Sequence, residues 1–255
     1  MNGELTQYYG TPLLYAITTT ALTFGTATIL FLIRWKQIKN AQTSSPRFKP
    51  SKTLAVLGSG GHTTEMIRLL SSLTKENYQP LYYIVADTDT TSVKRLNNFH
   101  EANNHNTNQA DEKKSPPNHS YIFKIPRARE VGQSYITSIF TTIKSILLSA
   151  HIVLWKTRPD VLIINGPGTC IPIAFWTYIG RILGICHGKI IFCESFCRVN
   201  TLSLTGKILV KFRMVDMILV HWQELMDVIN KNYGDVKLKS DIKFVLIDSF
   251  IKHEE

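Results

Sequence analysis

Apolar positions follow three regimes along the chain. The first is a run without a charge over residues 12–33, closed at once by Arg34, Trp35, Lys36 and Lys39. At a rise of about 1.5 Å per residue, it crosses the hydrocarbon of a bilayer as one helix. Thr18, Thr19, Thr20, Thr23, Thr26 and Thr28 lower its hydropathy, but hydroxyls that bond back to helical carbonyls are tolerated in lipid. A cleaved signal peptide carries its basic residues ahead of the apolar run. Here the leader holds only Glu4, so an uncleaved anchor is expected. The positive-inside rule then keeps the basic cluster and all that follows in the cytosol, with residues 1–11 lumenal.

The second regime is a basic linker over residues 34–52, ending in the tether AQTSSPRFKPSK. From residue 53 the third regime alternates. Continuous apolar runs at 54–57, 81–86, 121–125, 161–165, 190–194 and 217–221 predict strands. Helical spacing marks 64–74, 133–155, 171–183, 204–212 and 222–232, the first through Met66, Ile67, Leu69, Leu70 and Leu73. Unbroken apolar strands require cover on both faces. The fold class expected is therefore α/β: one Rossmann-like, doubly wound, mostly parallel sheet over 53–249, with a tail at 250–255.

Three segments are ambiguous in this scheme. Residues 97–118 are asparagine-rich with little apolar content, and are expected to be a disordered insertion. Residues 171–186 are apolar enough for a second span, but Arg181 and the flanking strands favour a buried helix. In 135–155, Ile136, Ile139, Phe140, Ile143, Leu147 and Leu154 lie largely on one side, as in an ordinary core helix, with a membrane-lying helix as the alternative.

With 255 residues the chain holds one such domain beside its anchor. Its net charge of +10 favours an anionic neighbour, either phosphate or a lipid surface, and no nucleic-acid motif accompanies it. Cys170, Cys186, Cys193 and Cys197 lack zinc or disulfide spacing and read as reduced thiols. No metal or cofactor is called for.

Candidate chemistry gathers where strands end. Gly58-Ser59-Gly60-Gly61-His62 follows the first strand and opens a helix, so backbone amides and the helix dipole form a pyrophosphate seat. A dinucleotide fingerprint would have a third glycine where Thr63 stands, although Asp87 is placed to hold a ribose. Asn165-Gly166-Pro167-Gly168-Thr169 repeats the strand-to-helix pattern on the same edge. A third strand end supplies Glu194-Ser195-Phe196-Cys197-Arg198, in which Arg198 either grips phosphate or forms a structural ion pair. His62 is a candidate proton acceptor. Arg127 and Arg129 add positive charge to this edge. Tyr233 and Lys237 have reductase spacing, but Gly234 is expected to interrupt any helix there.

Gly58-Ser59-Gly60-Gly61-His62-Thr63 with Glu65, Asn165-Gly166-Pro167-Gly168-Thr169 and Glu194-Ser195-Phe196-Cys197-Arg198-Val199 resemble the asparagine-linked glycosylation protein 14 family. The resemblance implies the membrane-anchored subunit of the UDP-N-acetylglucosamine transferase that adds the second sugar, β1,4, to dolichol-pyrophosphate-GlcNAc on the cytosolic face of the endoplasmic reticulum. It implies the acceptor-side half of a GT-B enzyme such as MurG. It also implies a soluble donor-binding partner of the protein 13 family, recruited through a C-terminal segment that here includes Phe244-Val245-Leu246-Ile247. Those four residues are alternatively the sheet's last strand. The glycine loops with Arg198 would hold the acceptor's pyrophosphate, and His62 or Glu194 would deprotonate its 4-hydroxyl. Two rivals are a pure adaptor that contributes no catalytic group and a membrane-bound NAD(P)-dependent reductase.

Overall fold

The computed structural model describes residues 4–40, 50–74, 77–105, 122–126, 135–166, 168–239 and 242–247. They fall into two units, Met1–Ser45 and Pro46–Glu255. The first is helix α1 (Glu4–Asn40), whose stretch Tyr15–Ile33 is long and apolar enough to cross a membrane. All six threonines bond back to the helix. Thr19 and Thr28 donate to Tyr15 and Phe24 carbonyls at 2.7 Å, and Thr20 donates to Ala16 at 2.6 Å. Thr18, Thr23 and Thr26 each donate three residues back. No hydroxyl proton of this set is left for lipid to solvate.

The second unit is built on seven strands, β1 (Thr53–Leu57), β2 (Leu81–Ala86), β3 (Ile122–Ile125), β4 (Val161–Asn165), β5 (Lys189–Cys193), β6 (Met217–Val220) and β7 (Lys243–Leu246). They form one sheet in the order β3-β2-β1-β4-β5-β6-β7, and every pairing is parallel. The order reverses between β1 and β4. At such a switch point, loops leaving the carboxyl ends diverge and leave a crevice.

Alternation along each strand sorts residues onto two faces. Ala55, Leu57, Val161 and Ile163 pack with Met66 and Leu70 of α2 (Gly61–Ser71) and Leu96 of α3 (Thr90–His105). Leu54, Val56, Leu162, Ile164, Ile190 and Phe192 pack with Ile173 of α5 (Cys170–Ile182), Leu209 of α6 (Leu204–Lys211) and Ile229 of α7 (Gln223–Lys239).

Several expectations are corrected. Helix α2 begins at Gly61, three residues earlier than the periodicity indicated, because its first turn is glycine and polar residues. Helix α3 takes in residues 97–105 of the expected disordered insertion. Asp89 accepts the Ser92 amide at 3.0 Å and its hydroxyl at 2.6 Å, capping the helix, and Val93, Leu96 and Phe99 pack inward at helical spacing. Residues 106–118 lie outside the described set. Helix α7 runs through Gly234, where an interruption was expected, since Ile229 and Tyr233 hold it on the core. A mid-helix glycine costs only about 1 kcal/mol. Residues 244–247 form the last strand and its first residue beyond: Phe244 is 8% exposed in the core, and the Ile247 amide donates to the Val220 carbonyl.

Helix α4 (Tyr135–His151) passes into a π-helical segment, Ile152–Thr157. Of the expected core side, Leu154 is buried, but Ile143 and Leu147 are exposed while Ser145 and Ser149 are buried, an apolar outer strip such as the membrane-lying alternative would show. Small inward residues allow close approach to α5, where the Trp176 indole donates to the Ile146 carbonyl at 2.8 Å.

The second span considered for 171–186 is instead the buried helix α5, and its charge is matched. Arg181 reaches both carboxylate oxygens of Asp216 at 2.7 and 2.6 Å, and Asp216 Oδ2 also accepts the Ile190 amide. The Asp216 peptide further bonds Ile190 and Lys243, tying β5 to β7. Asp216→Ala, which strands the guanidinium, is expected to cost about 2–3 kcal/mol after allowing for partial exposure. Thermal unfolding of the detergent-solubilised chain tests this, and an unchanged midpoint would rule the pair out as a support.

Candidate functional site

After β1 the chain turns through buried Gly58 and exposed Ser59 and Gly60, and enters α2 at Gly61. Gly60 has φ +67°, which only glycine adopts at little cost. Among the described residues, a Cβ on Gly60, Gly61 or Gly168 would meet nothing within 4 Å. For Gly61 and Gly168 neither backbone nor packing demands glycine, so the space above them is open for close approach to the backbone. The first amides of α2 have no intrahelical partners and point into that space.

Thr63 lies under the loop, not in it. It is fully buried, donates to the Gly58 carbonyl and shares a 2.5 Å bond with Ser92 Oγ. Thr63 therefore anchors the turn and is shut off from any ligand. Arg95, which the sequence reading missed, donates from Nη1 to the Gly60 carbonyl at 2.7 Å and to Thr64 Oγ1 at 3.1 Å, setting a guanidinium beside the open glycines. No local pattern in the sequence signals it, because the contact spans 35 residues. Asp87 is exposed beyond β2.

The second loop meets the first at His62. Asn165, 1% exposed, donates from Nδ2 to the His62 carbonyl at 2.6 Å, and its Oδ1 is buried without a partner among the described residues. Gly166, at φ +65°, lies against the imidazole, so that a Cβ there would sit 2.6 Å from Nδ1 and 2.7 Å from Nε2. Thr205 fixes Gly166 from behind, donating to its carbonyl at 2.9 Å. Thr169 caps α5 without a side-chain bond. Pro167, Arg127 and Arg129 lie outside the described residues.

The third strand end divides its charged groups. Glu194 is fully buried. Its Oε1 accepts the Ser195 amide at 3.1 Å and its Oε2 the Ser203 amide at 2.8 Å. Gly206 leaves room for it, since a Cβ there would stand 2.9 Å from Oε2. This carboxylate closes the 195–203 loop on itself and is not presented to the cleft, in contrast to its expected place beside His62 as a candidate base. Arg198 is exposed, and no ion pair joins it among the described residues. Glu65, one turn into α2, reaches this loop instead. Its Oε1 accepts the Phe196 amide at 3.2 Å and the Ser195 hydroxyl at 3.3 Å, while its Oε2 lies 3.3 Å from His62 Nδ1. The His62 and Glu65 side chains are 32% and 21% exposed, open to a ligand on one side. Among the described residues no three His, Cys, Asp or Glu side chains come together as metal ligands.

A family model described as "Oligosaccharide biosynthesis protein Alg14 like" matches residues 53–236. The chain is 40% identical to the human UDP-N-acetylglucosamine transferase subunit ALG14 over 206 residues, covering 80% of this chain and 89% of that protein. It is 43% identical to the Candida albicans subunit of the same name over 170 residues, 67% of this chain and 70% of the relative. With the Schizosaccharomyces pombe subunit it shares 40% over 190 residues, 73% and 83% of the two chains. No solved structure matches the chain.

The thiols near the site differ in reactivity. Burial pushes Cys193, at the end of β5, up to about 12, with the Glu65 and Glu194 carboxylates adding to the shift. Burial likewise raises Cys170 to about 12. At pH 8 only about one such thiol in 10⁴ is thiolate, the form that alkylates. Iodoacetamide at that pH is expected to label exposed Cys197 and spare Cys170 and Cys193 until the chain unfolds. Mass spectrometry of the digested chain checks this, and equal labelling of Cys193 and Cys197 would contradict the buried β5 end.

Proposed function

The chain belongs to the Alg14-like family of oligosaccharide biosynthesis proteins, and from this premise we propose that it is the membrane-anchored, acceptor-binding subunit of a two-chain UDP-GlcNAc transferase. The complex adds the second GlcNAc, β1,4, to dolichol-pyrophosphate-GlcNAc on the cytosolic face of the endoplasmic reticulum. The observation that carries the reading is the meeting of two glycine loops around His62 on one sheet edge. That edge offers amides and a ring nitrogen but belongs to a single Rossmann-like unit. In this reading the nucleotide-sugar donor is held opposite by a separate unit, which a soluble donor-binding partner supplies.

In this reading the open backbone at Gly60, Gly61 and Gly168 receives the acceptor's pyrophosphate, with Arg95 and Arg198 as counter-charges. His62 takes the proton of the GlcNAc 4-hydroxyl as that oxygen attacks the donor's anomeric carbon and UDP departs, inverting the configuration. His62 is assigned this role rather than Glu194 because both oxygens of Glu194 are engaged by buried amides. The anchor keeps the site at the membrane surface where the lipid-linked acceptor lies. Met217 and Val245 point away from the core that holds their neighbours Ile218 and Phe244, and are only half covered. That sheet face, which also carries exposed Lys243 beside Met217, rather than Phe244 itself, suits the partner.

GlcNAc transfer from UDP-GlcNAc to a dolichol-like pyrophosphate-GlcNAc is measured with this chain, with its partner and with both. Turnover is expected only in the mixture. Replacing His62 by Ala is expected to cut it by about 10²-fold or more while the two chains still associate. Unchanged turnover would leave the chain an adaptor.

A further inference from the structure

We propose that Glu65 is the positioning residue for His62, fixing which ring nitrogen carries the proton and where the other points; this rests on the role assigned to His62 above. An ionised carboxylate only accepts hydrogen bonds. Glu65 Oε1 is taken by the Phe196 amide and the Ser195 hydroxyl, and Oε2 faces His62 Nδ1 at 3.3 Å. The nitrogen facing that oxygen is therefore the donor, and the lone pair of the neutral ring lies on Nε2. The ring cannot choose another pose at low cost. Gly166 lies against its face, and the Asn165 side chain donates to the His62 carbonyl, fixing the backbone that carries the ring.

The same geometry suits the proton transfer. Nε2 takes the hydroxyl proton as the new oxygen–carbon bond forms and the bond from that carbon to UDP breaks, with UDP keeping the electron pair. The ring becomes a cation while Nδ1 keeps its hydrogen throughout. A cation at the first turn of a helix is opposed by the positive end of the dipole. The Glu65 carboxylate, one turn further along and 3.3 Å from Nδ1, offsets the opposition without accepting the proton. Because its other oxygen is tied to the loop after β5, the position of that carboxylate is set by an element 130 residues away.

The test uses the full chain with its donor-binding partner. In Glu65→Gln, the amide oxygen still accepts the Phe196 amide, while the amide NH₂ faces Nδ1 and favours the wrong tautomer. Turnover number is expected to fall about 10²-fold or more, with the acceptor KM within about threefold. The double variant His62→Ala/Glu65→Gln should be no slower than His62→Ala alone. Nitrogen-15 histidine spectra should show Nδ1–H for His62 in the native chain and its loss in Glu65→Gln. Native-like turnover in Glu65→Gln beside an inactive His62→Ala would overturn the positioning role and leave the base assignment standing. Additive losses with an unchanged tautomer would reduce Glu65 to a tie for the 195–196 loop and overturn the proposal too. An active His62→Ala would instead sink the base assignment itself.

Discussion

The site depends on a place where no side chain can stand. The His62 ring fills the volume that a Cβ on residue 166 would need, so the two strand-to-helix loops close on one another only because the second contains glycine at that position. Parallel pairing of β1 with β4 makes the encounter possible. The register that sets Thr53 beside Val161 brings both strands to their carboxyl ends at the same level. One loop then delivers the ring and the other its support, with Asn165 gripping the His62 carbonyl. The glycines at Gly61 and Gly168 have a different physical reason, since nothing among the described residues crowds them.

Two carboxylates near this point illustrate how burial assigns roles. Glu194 ends a strand at the proper edge and would serve catalysis if it were exposed. Its desolvation is offset by two amide donors, and it is committed to holding a loop. Glu65 is partly open and divided between ring and loop. Residue type was an equal guide to both; burial, and the His62 ring beside Glu65 alone, separate them.

Much of the architecture was legible in the chain. Continuous apolar runs located the strands, since sheet cover on two faces leaves no polar alternation to obscure them. The anchor was equally plain from its length and flanking charges. Helix α3 was harder to see, because its asparagine-rich outer side masks the Val93, Leu96 and Phe99 spacing and its cap, Asp89, sits in a run of threonines and aspartates. The inversion of α4, with serines inside, follows from close helix approach, which no single-helix pattern records. Arg95 and Glu65 act across 35 and 131 residues of sequence, and contacts at such separations leave no local signature.

Those separations have a consequence for how the protein is made. The bonds around His62 come from Asn165 and from the loop at Ser195 and Phe196, and Thr205 secures Gly166 in turn. A ribosome that has released α2 and even β4 has produced a histidine with no carboxylate braced beside it. Only after the chain beyond Thr205 emerges can loop closure bring these parts together. The surroundings of His62 are therefore completed late in translation, long after α1 and the first strands have emerged.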